Sequence, residues 1–201
     1  MRLLIATHNP GKMREYRQLL EGLPLELVSL DDVGIDNDVP ETGATYAENA
    51  LLKARAYAQQ SGIPTLADDS GLEVDALDGE PGPLSARYAG EGATDADRIN
   101  YLLGKLRTVP PTRRTARFRC VIALVWPSGR EELVEGTCEG RITKAPRGDQ
   151  GFGYDPVFVV AGDTRTMAEL SATEKNAISH RARAAAKARM LLEENPLSSI
   201  R

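Results

Sequence analysis

Asp68-Asp69-Ser70-Gly71 places two consecutive carboxylates where a strand-like run, Thr65-Leu66-Ala67, is interrupted before Leu72, Val74, Ala76 and Leu77. Side chains alternate along an extended chain, so the two acids point in opposite directions and take different jobs. One can bind metal or activate water while the other pairs with a cation or an amide, and Ser70 can donate to a phosphate oxygen. An ordinary Asp-Ser-Gly turn accounts for the same four residues. Thr7-His8-Asn9-Pro10-Gly11-Lys12 offers a hydroxyl, an amide and an ammonium on a strand-to-helix turn. Backbone N–H groups and the positive helix end converge at such a turn, the physical recipe for an anion site. It is not a Walker A loop, because Ala6 and Met13 stand where that pattern needs Gly and Ser or Thr. A capped surface helix with a solvated Lys12 is the competing reading.

Three further segments could carry chemistry. Asn49 and Lys53, four apart, share one face of a helix, although a lysine on such a helix commonly faces solvent. Gly151-Phe152-Gly153-Tyr154-Asp155-Pro156 combines an aromatic face, a carboxylate and glycines that permit close backbone approach. Phe152, Gly153, Tyr154 and Asp155 could hold a flat base by stacking and hydrogen bonding, or they could form a core-anchored turn. Ser179-His180-Arg181 beside Lys175 supplies three cations. In a regular helix Lys175 and His180 lie about 140° apart around the axis, so they converge only if Lys175 precedes that helix.

The elements that must position these groups follow from periodicity and punctuation. Leu3–Thr7 reads as a strand, and Met13, Tyr16, Leu19 and Leu20 continue as a helix that Asn9 caps and Pro10 enters. Leu25–Leu30 reads as a second strand, and the acidic, Gly- and Pro-containing stretch 31–44 as an exposed loop. Thr45-Tyr46-Ala47-Glu48 is a capping box that opens a helix running to Ser61-Gly62. A helix is expected from about Thr94 to Arg107. Strands Phe118–Trp126 and Glu131–Ile142 flank the hairpin signal Pro127-Ser128-Gly129, so antiparallel pairing joins the earlier parallel-type units in a mixed sheet. A short strand at Val157–Val160 and one Ala-rich helix over Asn176–Glu194, ended by Pro196, complete the reading. Neither an internal repeat nor a flexible linker interrupts the 201 residues, which read as a single α/β domain.

Composition narrows the function classes. Lys and Arg number 25 against 29 Asp and Glu, a net charge of -4 that argues against a protein coating nucleic acid by counterion release. A small ligand fits better. Met1 leads into a strand-like segment without a charged leader, and no apolar run reaches the ~18 residues of a membrane span, so a soluble, unexported protein is expected. With two Cys and two His, no zinc-type cluster is available, and any metal should be a hard cation held by oxygen, magnesium by default. The net charge hides a segregation. Residues 31–80 hold 12 acids against Lys53 and Arg55, whereas 175–190 hold no acid. A cleft uniting the two would offer carboxylates for a cation and donors for phosphate, while two separate solvated faces remain the bland alternative.

Taken in order over almost the whole chain, these motifs resemble the inosine/xanthosine triphosphate pyrophosphatases, which clear non-standard purine nucleotides. The resemblance rests on Thr7–Lys12, Glu41-Thr42-Gly43, Glu48-Asn49-Ala50 with Lys53, Asp68-Asp69-Ser70-Gly71-Leu72 and Gly82-Pro83-Leu84-Ser85-Ala86-Arg87-Tyr88. It continues through Gly151–Pro156 and Glu174-Lys175-Asn176 with Ser179-His180-Arg181. Val160-Ala161, where relatives often have Pro, is a small departure touching local strand geometry only. The resemblance implies a curved mixed β-sheet flanked by helices, in two lobes with a nucleotide cleft between them, magnesium dependence and a cytoplasmic homodimer. It implies water attack at the α-phosphorus of inosine, deoxyinosine or xanthosine triphosphate (ITP, dITP, XTP), releasing nucleoside monophosphate and pyrophosphate. By family position Asp69 is general base and metal ligand and Glu41 the second ligand. Thr7, His8, Asn9, Pro10, Gly11, Lys12, Lys53 and Ser70 hold phosphates. Phe152, Gly153, Tyr154, Asp155, Lys175, His180 and Arg181 contact base and sugar. Hypoxanthine and xanthine present an O6 acceptor and an N1–H donor where adenine reverses both, so a fixed donor at O6 discriminates, and Arg181 is the expected donor. Two rivals remain: a regulator that binds nucleotides without hydrolysing them, and a nucleotide pyrophosphatase with another base preference.

Overall fold

Arg2–Ile5 forms the first strand, β1, and its apolar run is explained by burial on both faces: Leu3 and Ile5 enter one cluster of core side chains, Leu4 and Ala6 another. In this computed structural model, which describes residues 2–194, β1 is followed by α1 (Pro10–Leu19), β2 (Glu26–Val28), α2 (Tyr46–Ser61) and β3 (Thr65–Val74). There follow α3 (Asp95–Lys105), β4 (Thr115–Val125), β5 (Glu131–Ile142), β6 (Phe158–Val160), α4 (Ala172–Ile178) and α5 (His180–Glu194). The six strands make one sheet in the order β2-β1-β3-β4-β5-β6. β1 runs parallel to β2 and β3, and β5 antiparallel to β6, so the sheet is mixed and flanked by helices, as expected. β4 and β5 are neighbours joined through residues 126–130, where Gly129 takes a left-handed φ of 89° and donates to the Trp126 carbonyl.

The chain divides into two compact units. The first takes the residues up to Asp69, Cys120–Gly136 and those from Arg181 on; the second takes Ser70–Arg119 and Thr137–His180. In the first unit, Tyr16 of α1, Leu20 just beyond it, and Ala184, Ala185 and Ala188 of α5 cover the Leu3/Ile5 face. Ala50, Ala54, Tyr57 and Ala58 of α2 cover the Leu4/Ala6 face. Small residues on both α2 and α5 let the helices approach the sheet closely, the layering of an α/β fold. In the second unit Leu72 and Val74 of β3, Ile99 and Leu102 of α3, and Phe118, Cys138 and Phe158 share one core.

Two differences from the sequence reading bear on the site. β3 does not break at Asp68-Asp69 but continues from Thr65 to Val74, because both carboxylates find partners on opposite faces of the strand. The Ala-rich tail is two helices, not one: Ser179 is extended (φ -67°, ψ 159°), ending α4 and placing Lys175 on a separate helix from His180. Pro196, expected to end that tail, lies outside the described residues.

Gly140 on β5 marks the tightest strand contact in the second unit. A Cβ there would fall 2.3 Å from the Val159 carbonyl oxygen and 2.5 Å from the Phe158 ring. Overpacking of this kind costs ~1–3 kcal/mol, so Gly140→Ala should lower the melting temperature by about 5 °C in a calorimetric scan. An unchanged melt would mean β6 yields freely.

Candidate active site

The parallel strands β1 and β3 lie side by side, yet the chain leaves β1 through α1 for β2 on the other side. Ligands in open α/β sheets bind at such a reversal, beyond the carboxyl ends of the strands. Thr7–Asn9 follows β1 there, with the Ala6 N–H donating to Leu66 of β3 at 2.8 Å. Asn9 caps α1, its carboxamide oxygen accepting from the N–H groups of Gly11 and Lys12 at 2.8 and 3.1 Å, and Pro10 enters the first turn. Those backbone donors are therefore taken by Asn9. The Thr7 hydroxyl oxygen accepts from the Asn9 N–H, which leaves the hydroxyl hydrogen able to donate elsewhere. His8 lies 3.5 Å from the Asn37 carbonyl and 3.5 Å from the Asp38 carboxylate.

Alternation along β3 then separates the two acids. Asp68 continues the Leu66 row toward α1 and α5, and Asp69 continues the Ala67 row toward α2. Asp68 is 2% exposed. Its Oδ2 lies 3.0 Å from Lys12 Nζ and 3.3 Å from Arg181 Nη2, and accepts from the Cys120 thiol at 3.7 Å, while buried Oδ1 has no hydrogen-bond partner. Burial opposes charge on this carboxyl, but Lys12, Arg181 and Lys53 outweigh it and hold it well below the usual carboxylate range. The same neighbourhood pushes the Cys120 thiol up to about 12, through burial first and the Asp68 charge second, so the cysteine is an inert core residue.

Asp69 behaves in the opposite way. Burial, aided by Glu41 and opposed by Lys53, raises its carboxyl above the ordinary value. Asn49 Nδ2 donates to Asp69 Oδ2 at 3.0 Å. Lys53, one turn along α2, donates to Glu41 Oε1 at 2.5 Å and to the Asp68 carbonyl at 2.7 Å. Burial works against its charge, yet Glu41, Asp68 and Asp69 together raise its pKa. Lys53 is thus a structural member of the acid cluster and not a solvated surface lysine. Ser70 follows on β3, half-buried, as the first residue of the second unit.

Arg181 departs furthest from its expected place. Its guanidinium is 2% exposed, with Nη1 donating to Glu15 Oε2 at 2.5 Å and Nε and Nη2 facing Asp68. To donate to a purine O6 it would first have to leave this pairing. Glu15, on α1, was not singled out from sequence; the signal was a carboxylate three residues after Lys12 on the face turned to the sheet.

The second unit holds its own constellation. Asp155 Oδ2 accepts from the Phe152 N–H at 2.9 Å and from Lys175 Nζ at 2.5 Å, and Lys175 Nζ sits 4.7 Å from the Phe152 ring centroid. Gly151 (φ 77°) is required here, since a Cβ would fall 2.1 Å from Asp155 Oδ2. Gly153 donates to Asp95, and the buried Tyr154 hydroxyl donates to the Ser85 carbonyl at 2.9 Å, so Tyr154 is the core anchor of the loop, while the Phe152 ring lies under Lys175. His180 stacks on Phe118 with centroids 4.7 Å apart and planes 14° from parallel.

Known proteins resemble this chain over most of its length. The Ham1 family profile matches residues 3–191. A protein named dITP/XTP pyrophosphatase from Symbiobacterium thermophilum is 56% identical over 186 residues, 92% of each chain. Its namesake from Bacillus subtilis is 48% identical over 190 residues, 94% of this chain and 96% of the other. A solved HAM1 protein from Coxiella burnetii superposes with a TM-score of 0.88 at 43% identity, covering 97% of this chain and all of that one. The dITP/XTP pyrophosphatase structure from Mycobacterium abscessus gives 0.76 at 49% identity, with 94% and 98% covered. On sequence and fold alike, the chain belongs to the Ham1 family.

Proposed function

We propose that this chain hydrolyses non-standard purine nucleoside triphosphates, ITP, dITP and XTP, to the nucleoside monophosphate and pyrophosphate. The observation that carries the reading is Asp69, buried beside Glu41 and Lys53 with its carboxyl raised, in a chain whose relatives bear the name dITP/XTP pyrophosphatase. A carboxylate shifted upward is a better base than an ordinary aspartate, and Asp69 takes the proton of the water that attacks the α-phosphorus. Lys12 and Lys53 carry ammonium groups whose charge offsets that of phosphate oxygens, and the Thr7 and Ser70 hydroxyls donate to them. Phe152 stacks on the base, with Asp155, Lys175 and His180 as its polar neighbours.

The donor set fits a hard divalent cation. Glu41 is close enough to Asp69 to raise it, and among the described residues no group of three or more His, Cys, Asp or Glu converges. Two carboxylates, with water and phosphate oxygens filling the remaining positions, is the usual protein share of a magnesium site, and Glu41 and Asp69 would hold it. When bound, magnesium polarises water and neutralises charge on the phosphates. The family resemblance supports a cytoplasmic homodimer. Among the described residues no helix is long and apolar enough to cross a membrane.

Product identification with ITP and magnesium tests the reading. Inosine monophosphate with pyrophosphate is expected, and ATP should turn over at least about 100-fold more slowly. Inosine diphosphate with orthophosphate would move the attack to the γ-phosphorus, and binding without turnover would leave only a nucleotide-binding protein.

A further inference from the structure

We infer that Asn49 is a positioning residue for Asp69, a brace between β3 and the loop that carries Glu41. Asn49 is 1% exposed on α2, a burial that an amide tolerates only when its polar atoms are satisfied. Its Oδ1 accepts from the Gly43 N–H at 2.8 Å and its Nδ2 donates to Asp69 Oδ2 at 3.0 Å. The partners fix the orientation of the amide: a backbone N–H only donates and an ionised carboxylate only accepts. The bridge therefore needs a side chain with a donor and an acceptor at this reach. Aspartate loses the donor, glutamine is one methylene too long, and leucine loses both.

The loop is shaped to meet this amide. A Cβ on Gly43 would fall 2.6 Å from Glu48 Cβ and 2.8 Å from Asn49 Oδ1. Gly43 is not among the residues with positive φ, so it serves close approach here and not an unusual backbone turn. Glu41 stands two residues before it, held by Lys53 from the next turn of the same helix. One face of α2 thus ties the Glu41 loop to β3 twice, through Lys53 to the Asp68 carbonyl and through Asn49 to the Asp69 carboxylate. Lys53 faces the substrate charge as well; the Asn49 amide, at 1% exposure, bonds Gly43 and Asp69. Its effect is to set the direction of one carboxylate oxygen relative to Glu41, and misplacing a reacting group by an ångström costs on the order of 100-fold in rate.

The inference rests on the proposed role of Asp69, and the test separates the two. Asn49→Leu and Asn49→Asp are compared with wild type for kcat and KM on ITP, for affinity toward Mn2+ alone, and for thermal melting. Asn49→Asp keeps the acceptor for Gly43 and so spares the loop if Asn49→Leu folds poorly. In both variants kcat should fall about 10–100-fold with KM within about 3-fold. For Asn49→Leu, Mn2+ affinity should also fall about 10-fold. Gly43→Ala, which displaces the same amide, should reproduce the kcat loss. Folded Asn49 variants with wild-type kcat and Mn2+ affinity, beside an inactive Asp69→Asn, overturn the brace and leave the role of Asp69 standing. An active Asp69→Asn removes that role instead.

Discussion

Asp69→Asn should lower kcat for ITP by about 1,000-fold while leaving KM within about 3-fold and the fold intact. The amide matches the carboxylate in size and can still meet the Asn49 side chain by reorienting, but it cannot take a proton from water. General-base catalysis contributes roughly 100- to 10,000-fold, which sets the scale of the loss. Stability should move little, or upward. Burial and Glu41 both penalise a charge at this position, so its ionised form is held at a cost that asparagine removes. A melting temperature at or above wild type, together with the lost turnover, is the joint signature of a residue kept for chemistry against stability. Pyrophosphate release at saturating ITP and magnesium measures the first, and differential scanning calorimetry the second. Retention of a tenth of the wild-type rate would rule out Asp69 as the base.

Its neighbour should behave in the opposite way. Asp68→Leu removes a carboxylate that faces both Lys12 and Arg181, and leaves Glu15 facing the buried guanidinium. Breaking a buried pair by deleting one member costs ~3–5 kcal/mol, because the surviving charge has no solvent to return to. In a chain of this length that corresponds to a fall in melting temperature of about 10 °C. The carboxyl is held well below its ordinary range by Lys12, Arg181 and Lys53 against the pull of burial, so here ionisation is favoured by the fold and not tolerated despite it. Turnover should fall too, since Lys12 loses the group that orients it. An unchanged melt would show that the cluster of Glu15, Lys12 and Arg181 closes without Asp68.

The contrast between these acids was legible in sequence as alternation, since neighbours on a strand must face apart. The caps were legible too: Asn9, and Thr45 with Glu48, carry their own chemistry within four residues and recur in the structure as read. What escaped were features set by distant partners. β3 runs through Asp68-Asp69 because Lys12, Arg181 and Asn49 satisfy the carboxylates, none of which local propensity can register. The break at Ser179 falls in an Ala-rich stretch with helical composition throughout, and only the extended backbone there separates α4 from α5. Lys53 and Arg181 were read as donors toward phosphate and base, yet each is also claimed by carboxylates of this chain. Asn49 was noticed for sharing a face with Lys53, while its contact with Asp69 required coordinates.

The Arg181 cluster also bears on how the protein is born. Its carboxylates, Glu15 and Asp68, precede the arginine by 166 and 113 positions. On the ribosome both acids emerge before Arg181, so until then Lys12, 3.0 Å from Asp68 in the folded chain, is a cation at hand for that carboxylate. The buried pairing of Arg181 with Glu15 and Asp68 can therefore form only after α5 has begun to leave the exit tunnel.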